Sequence, residues 1–142
     1  MHGTPALHLR MAADLVALEA TRLQARQFLQ QHHVDEHAVA GVELVLEEAL
    51  TNTLRHGYGP AGREGEPIEI DLQVGTAAVQ LLIIDDAPPF DPLAVAESAL
   101  PVTLDQAQVG GLGLLMIRRT ASSAGYERSG GRNRLTLSIS RS

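Results

Sequence analysis

Glu48 and Asn52 are polar side chains at the edge of a segment that otherwise carries an apolar stripe. Residues 44–58 read LVLEEALTNTLRHGY. On a helix, a step of four residues places Glu48, Asn52 and then His56 on one flank of that stripe. The neighbouring Glu47 points about 100° away, so the two adjacent glutamates are not predicted to form an acid–base pair.

This spacing suits a metal-bound nucleotide. The amide oxygen of an asparagine such as Asn52 can bind a Mg²⁺ ion that takes water and phosphate oxygens as its other ligands. A glutamate one turn earlier can accept a proton from a hydroxyl group beside that ion. The same spacing also fits an ordinary polar helix edge, and a single short motif does not decide between the two.

A second candidate is the stretch IIDDAPPFDP, residues 83–92, in which Asp85 ends an apolar run. Its carboxylate could accept a hydrogen bond from an exocyclic amine such as that of adenine. Asp and Pro are also common where a strand ends and a turn begins, so these residues equally fit a turn without a ligand.

A third candidate is VGGLGLLMIRR, residues 109–119, where three glycines stand at the start of a predicted helix. Exposed N–H groups and the helix dipole make such a turn suitable for phosphate. The stretch lacks the Gly-Lys-Ser/Thr that ends a P-loop. It also lacks the strand that precedes a dinucleotide-binding motif and the third glycine of that motif's G-x-G-x-x-G spacing. It therefore predicts either a phosphate-binding turn or a flexible helix start.

The elements that would position these residues follow from periodicity and turn signals. Strands are predicted at residues 6–11, 67–74 and 78–85, with a hairpin turn at Gly75-Thr76, and a closing hairpin at 125–140. Four helices are predicted: one from Ala12 to about Gln31, one that begins after an N-cap at Asp35, a short one at Ala94–Ala99, and one at 113–124. The segment from Leu100 to Val109 is predicted to form a lid. This order predicts one α+β domain over residues 1–142, a two-layer sandwich whose helices cover one face of a mixed, mostly antiparallel sheet.

Composition narrows the class of protein. The 142 residues include 44% apolar and 20% charged residues, which is typical of a single globular domain. A net charge of −6 and 3% aromatic residues argue against non-specific nucleic-acid binding. There is no cysteine, no membrane-length apolar run and no signal-peptide pattern, so a cytoplasmic protein is expected. The cluster of His32, His33 and His37 is interpreted as a polar helix junction rather than a metal site.

Taken together and in this order, the three stretches resemble the motifs of the GHKL ATPase superfamily, especially those of the small bacterial anti-sigma factor serine kinases. EEALTNTLRHGY resembles that family's N-box, DDAPPFDP its first glycine box and GGLGLLMIRR its second, while YERSGGRNRLTLSI is similar to its last hairpin. The resemblance spans nearly the whole chain. It implies a Bergerat ATP-binding fold, with ATP held between the helices and a lid.

The resemblance also implies roles for particular residues. Glu48 matches the catalytic base and Asn52 the Mg²⁺ ligand, so ATP and Mg²⁺ are the expected cofactors. The other positions implied to contact the nucleotide are His56 near the phosphates, Asp85 at the adenine amine, Ala87 beside it, Gly111, Gly113 and Leu114 at the lid-to-helix turn, and Thr136 near adenine. Ala87 stands where the family usually has glycine, and Gln108 and Val109 stand where some members carry an arginine.

The implied function is that of an anti-sigma regulatory factor with serine/threonine protein kinase activity. Such a protein phosphorylates an anti-sigma factor antagonist of the STAS type and also binds a sigma factor or another regulated protein. A homodimer is expected, with no direct contact to nucleic acid or membrane. The alternative is a nucleotide-binding module that sequesters its partner without phosphoryl transfer. The ATP-binding domain of a histidine kinase is less favoured, because no phospho-accepting helical domain or sensor is seen in the sequence.

Overall fold

A computed structural model describes residues 3–55, 67–89, 91–93 and 112–141. The elements within these ranges are β1 (Ala6–Met11), α1 (Leu15–Gln31), α2 (Glu36–Thr53), β2 (Ile68–Val74), β3 (Ala78–Asp85), α3 (Leu112–Thr120), β4 (Ser123–Ser129) and β5 (Arg132–Ser140). The predicted α+β order is confirmed. The short helix predicted at Ala94–Ala99 and the lid predicted at Leu100–Val109 lie outside the described residues.

The five strands form one sheet in the order β1-β2-β3-β5-β4. Each of the neighbouring pairs is antiparallel. The prediction was a mixed, mostly antiparallel sheet, whereas the sheet in the described residues is entirely antiparallel. The hairpin at Gly75-Thr76 is confirmed, and the Gly75 N–H donates to the Ala78 carbonyl at 2.9 Å. Gly130 and Gly131 turn the chain between β4 and β5 with φ values of 60° and 76°, which glycine adopts without a Cβ clash.

Side chains alternate between the two faces of the sheet, and one face carries the core. In β2, Ile68, Ile70 and Leu72 are fully buried, whereas Glu69 and Asp71 between them are only half-buried. The buried face packs with the apolar stripes of α1 and α2 into a single cluster. The two-layer arrangement follows, because a sheet with one apolar face must cover that face with helices.

The starts of α1 and α2 are set by aspartate caps. The Asp35 side chain accepts the Ala38 N–H at 3.1 Å at the start of α2, as predicted. Asp14 accepts the Ala17 N–H at 2.7 Å, which explains why α1 begins at Leu15 rather than Ala12. None of the helices in the described ranges is long and apolar enough to cross a membrane.

An ion-pair cluster ties α1 to α2. Glu43 on α2 is 13% exposed and accepts hydrogen bonds from both Arg22 and Arg26 on α1. Hydrogen bonds to Glu19 and then to Glu43 raise the pKa of the Arg22 guanidinium, so Arg22 stays charged. The cluster holds the two helices in register, and with them the flank of α2 that carries Glu48 and Asn52.

The predicted helix at 113–124 is too long. The structure ends α3 at Thr120, and Ser123 and Ala124 already belong to β4, paired with Ser138 and Leu137. The Ser122 N–H and hydroxyl both donate to the Ser138 carbonyl, at 2.8 and 3.0 Å. Strand pairing therefore begins at small residues that carry no helical apolar period.

Candidate functional site

The C-terminal half of α2 presents its polar flank as the sequence predicts. Asn52 is 8% exposed and Glu48 is half-buried, whereas Glu47 is exposed to solvent. No side chain in the described ranges hydrogen-bonds to the Asn52 amide, which lines a surface pocket. A carboxamide in such a position has the chemistry of a Mg²⁺ ligand, so the residues present fit the implied ion.

Glu48 lies directly against the first turn of α3. A Cβ atom built on Gly113 would overlap Glu48 Oε2 and would come within 3.4 Å of the Glu48 Cδ. Only glycine at position 113 therefore allows the carboxylate to occupy this place. Leu114, the next residue of α3, is buried. The structure thus brings together two motifs that lie more than 60 residues apart in the sequence.

One pocket joins the end of α2 to the ends of β3 and β5. Of the predicted site residues, it brings together Asn52, Asp85 and Ala87. The remaining lining residues are Ala49, Thr53, Ile83, Pro88, Pro92, Tyr126, Asn133 and Leu135. The lining is mainly apolar, and Asn52, Asp85 and Asn133 are among its polar groups.

Asp85 lines this pocket and is held by two donors. Its Oδ1 accepts the Ala87 N–H at 2.9 Å and the Asn133 Nδ2–H at 2.8 Å. The first bond is the Asx turn expected after a strand-ending aspartate. Ala87, at the position where the family usually has glycine, is 2% exposed and lines the pocket.

The sequence-based prediction did not identify Asn133, Tyr126 or Arg128. The Asn133 Oδ1 accepts hydrogen bonds from the Tyr126 hydroxyl and from the Arg128 guanidinium, which also donates to the Ala87 carbonyl at 2.8 Å. One signal was available: Asn133 is in phase with Leu135, Leu137 and Ile139, so β5 carries an amide on its buried face. A buried polar residue in an apolar phase usually has a specific partner.

The structure does not bring Thr136 to the pocket. Thr136 is exposed on the opposite face of the sheet, opposite Leu82 in the register of β3 and β5. The expectation that it contacts adenine is therefore corrected, because alternation along β5 turns it away from the helices. His56 and Gly111, like Gln108 and Val109, lie outside the described residues.

The histidines fit the junction that was predicted for them. The His32 ring packs against Phe28 with centroids 4.7 Å apart at the end of α1, and His37 is exposed. Across the described ranges, no group of three or more His, Cys, Asp or Glu side chains is placed to hold a metal ion.

Comparisons with known proteins relate this chain to a family and to solved structures. The family model for the histidine kinase-like ATPase domain matches residues 11–139. The serine/threonine-protein kinase BtrW of Bordetella bronchiseptica is 35% identical over 96 residues, which is 66% of this chain and 65% of that protein. The chain therefore spans slightly less than two thirds of that relative.

Two solved structures share the fold. The RsbU and RsbW domains of a Mycobacterium tuberculosis protein match with a TM-score of 0.60 and 23% identity, over 97% of this chain and 33% of that one. The SiaB–SiaC complex of Pseudomonas aeruginosa matches with a TM-score of 0.56 and 19% identity, over 94% of this chain and 89% of that one.

Proposed function

The chain belongs to the histidine kinase-like ATPase domain family, and we propose that it is an anti-sigma regulatory factor with serine/threonine protein kinase activity. It binds Mg-ATP and phosphorylates an anti-sigma factor antagonist of the STAS type in the cytoplasm. It also binds a sigma factor or another regulated protein. The kinase name of a relative at 35% identity supports the activity.

The observation that carries this proposal is the convergence of three motifs on one region. Asn52 and Asp85 line the same pocket, and the Glu48 carboxylate lies against the first turn of α3. Asp85 accepts a hydrogen bond from the adenine amine, and Asn52 binds the Mg²⁺ ion beside the phosphates. When bound, the ion supplies positive charge that neutralises the phosphate oxygens during transfer.

Glu48 is the proposed base. The attacking group is a serine hydroxyl of the antagonist, whose proton must be accepted as the oxygen bonds to the terminal phosphorus and the bond to ADP breaks. A half-buried carboxylate that lies against the first turn of α3 is suited to this role, because packing limits the positions it can take.

The first prediction concerns nucleotide recognition. ADP with Mg²⁺ should bind more tightly than GDP, because guanine carries an oxygen at the position of the adenine amino group, which would donate a hydrogen bond to Asp85. Isothermal titration calorimetry with both nucleotides measures this difference. Binding of neither nucleotide, or equal affinity for both, would contradict the adenine site.

The alternative is a nucleotide-binding module that sequesters its partner without chemistry. The absence of an arginine at Gln108 and Val109, where some members of the superfamily carry one, is the observation that favours it. Incubation with labelled ATP and the antagonist separates the two, since only the kinase transfers label to protein.

Assembly gives a second prediction. β1 is an edge strand of the sheet, and an uncovered edge presents unpaired backbone N–H and C=O groups to a second chain. We expect a homodimer in which a second copy covers this edge. Light scattering at micromolar concentration should give twice the chain mass of 15.2 kDa, and a single-chain mass would contradict the proposal.

A further inference from the structure

Asn133 connects the adenine-binding end of the pocket to the last hairpin. It stands opposite Asp85 in the register of β3 and β5, and its side chain is 5% exposed. Its Nδ2 donates to Asp85 Oδ1 at 2.8 Å and faces the carbonyl oxygens of Ala87 and Pro88 at 3.1 and 3.2 Å. A single amide group therefore holds both the carboxylate and the turn that follows it.

The other end of the same amide is held from β4. The Tyr126 hydroxyl and the Arg128 Nη1 both donate to Asn133 Oδ1, the latter at 3.2 Å. The two N–H groups of Nδ2 thus serve three acceptors, one of them shared, and the oxygen faces two donors, so only one orientation of the amide matches donors to acceptors. Rotating it by 180° would set acceptor against acceptor in a buried place, which is costly.

Only one of the two carboxylate oxygens of Asp85 accepts these hydrogen bonds. Both donors that reach Asp85 from the described residues, Ala87 N and Asn133 Nδ2, bind Oδ1. Oδ2 receives no hydrogen bond from the described residues, and Asp85 is one of the residues that line the pocket. We propose that Asn133 is a positioning residue for base recognition: by holding Asp85 through Oδ1, it aims Oδ2 at the 6-amino group of adenine.

The inference rests on the proposed nucleotide site. Binding of inosine diphosphate (IDP) tests the role of Asn133 separately from the existence of that site. IDP differs from ADP in carrying an oxygen at position 6 and a hydrogen on N1, so its position 6 cannot donate a hydrogen bond to Asp85. The ratio of the ADP and IDP affinities therefore reports how well Asp85 is aimed, whereas contacts to ribose and phosphate cancel in the ratio.

The decisive variant is Asn133→Leu, which nearly keeps the side-chain volume and removes every hydrogen bond of the amide. ADP affinity should fall about tenfold while IDP affinity stays within about twofold, because an unaimed carboxylate loses a charge-assisted hydrogen bond to the amine alone. Tyr126→Phe removes only the hydroxyl donor from a half-buried ring. It should lower the ratio of ADP to IDP affinity by about threefold. This variant tests the proposal if Asn133→Leu does not fold.

The matched control is Gln73→Leu, which makes a comparable change from amide to leucine at an exposed position of β2 that lines no part of this pocket. Its ADP-to-IDP ratio should equal that of the original chain. Circular dichroism confirms that each variant is folded before calorimetry with ADP and IDP.

Each outcome has a distinct meaning. If the original chain does not prefer ADP to IDP, the proposed adenine site fails and this inference fails with it. If the original chain prefers ADP and the folded variants keep that preference, the site stands and the role of Asn133 is overturned. Equal weakening of both nucleotides would also overturn it, because a merely structural residue acts on both alike.

Discussion

Replacing Glu48 by glutamine is expected to lower phosphoryl transfer to the antagonist by about 10²–10⁴-fold. Glutamine keeps the size of the side chain and its contact with the first turn of α3, but it cannot accept the serine proton. Nucleotide affinity should stay close to that of the original chain, because Asp85 and Asn52 are untouched. Single-turnover transfer from labelled ATP measures the first quantity, and calorimetry measures the second.

Glu47→Gln is the control for this experiment, because it makes the same chemical change one residue away. Glu47 is exposed, whereas Glu48 is half-buried against Gly113. The Glu47 variant should therefore transfer phosphate at the original rate. If the two variants behave alike, Glu48 is not the base. If the original chain transfers no phosphate to any antagonist, the binding-module alternative is favoured instead.

Gly113→Ala is expected to reduce transfer by roughly 10²-fold without unfolding the chain. The added methyl group would overlap Glu48 Oε2, which is the far end of a flexible side chain and can rotate away. The free energy of unfolding should change by no more than about 1 kcal/mol, since alanine is also the better helix former. The base is then displaced while the fold remains.

Gly125→Ala provides the control, because a Cβ at this position of β4 meets nothing within 4 Å. Thermal denaturation and single-turnover transfer should show an active, folded variant. The double variant Glu48→Gln with Gly113→Ala adds a further test. If Gly113 acts only through Glu48, the double variant should transfer no more slowly than Glu48→Gln alone. Additive losses would mean that Gly113 acts on the phosphates independently of Glu48.

Local patterns in the sequence account for most of the secondary structure. The steps of three and four that predict α2 match its buried residues, and the Asp35 cap lies where the pattern places it. The different environments of Glu47 and Glu48 also follow from the helical period alone. These features could be predicted because helix phase and caps depend on residues within one or two turns.

Pairing between distant segments could not be predicted in the same way. The end of α3 at Thr120 depends on Ser122 pairing with Ser138, which helical propensity does not register. The direction of Thr136 and the meeting of Asp85 with Asn133 both depend on the register of β3 and β5, and a shift of one residue would exchange the two faces.

The sequence by itself therefore determined the α+β class, the flank of α2 that carries Glu48 and Asn52, and the strand end that carries Asp85. Only the tertiary structure decided which residues complete the site: Gly113 beneath the Glu48 carboxylate, and Asn133 beside Asp85. The physical reason is range. Periodicity and caps act between neighbours along the chain, whereas these contacts join positions 48 and more residues apart, and they exist only once the sheet register and the packing of α3 on α2 are formed.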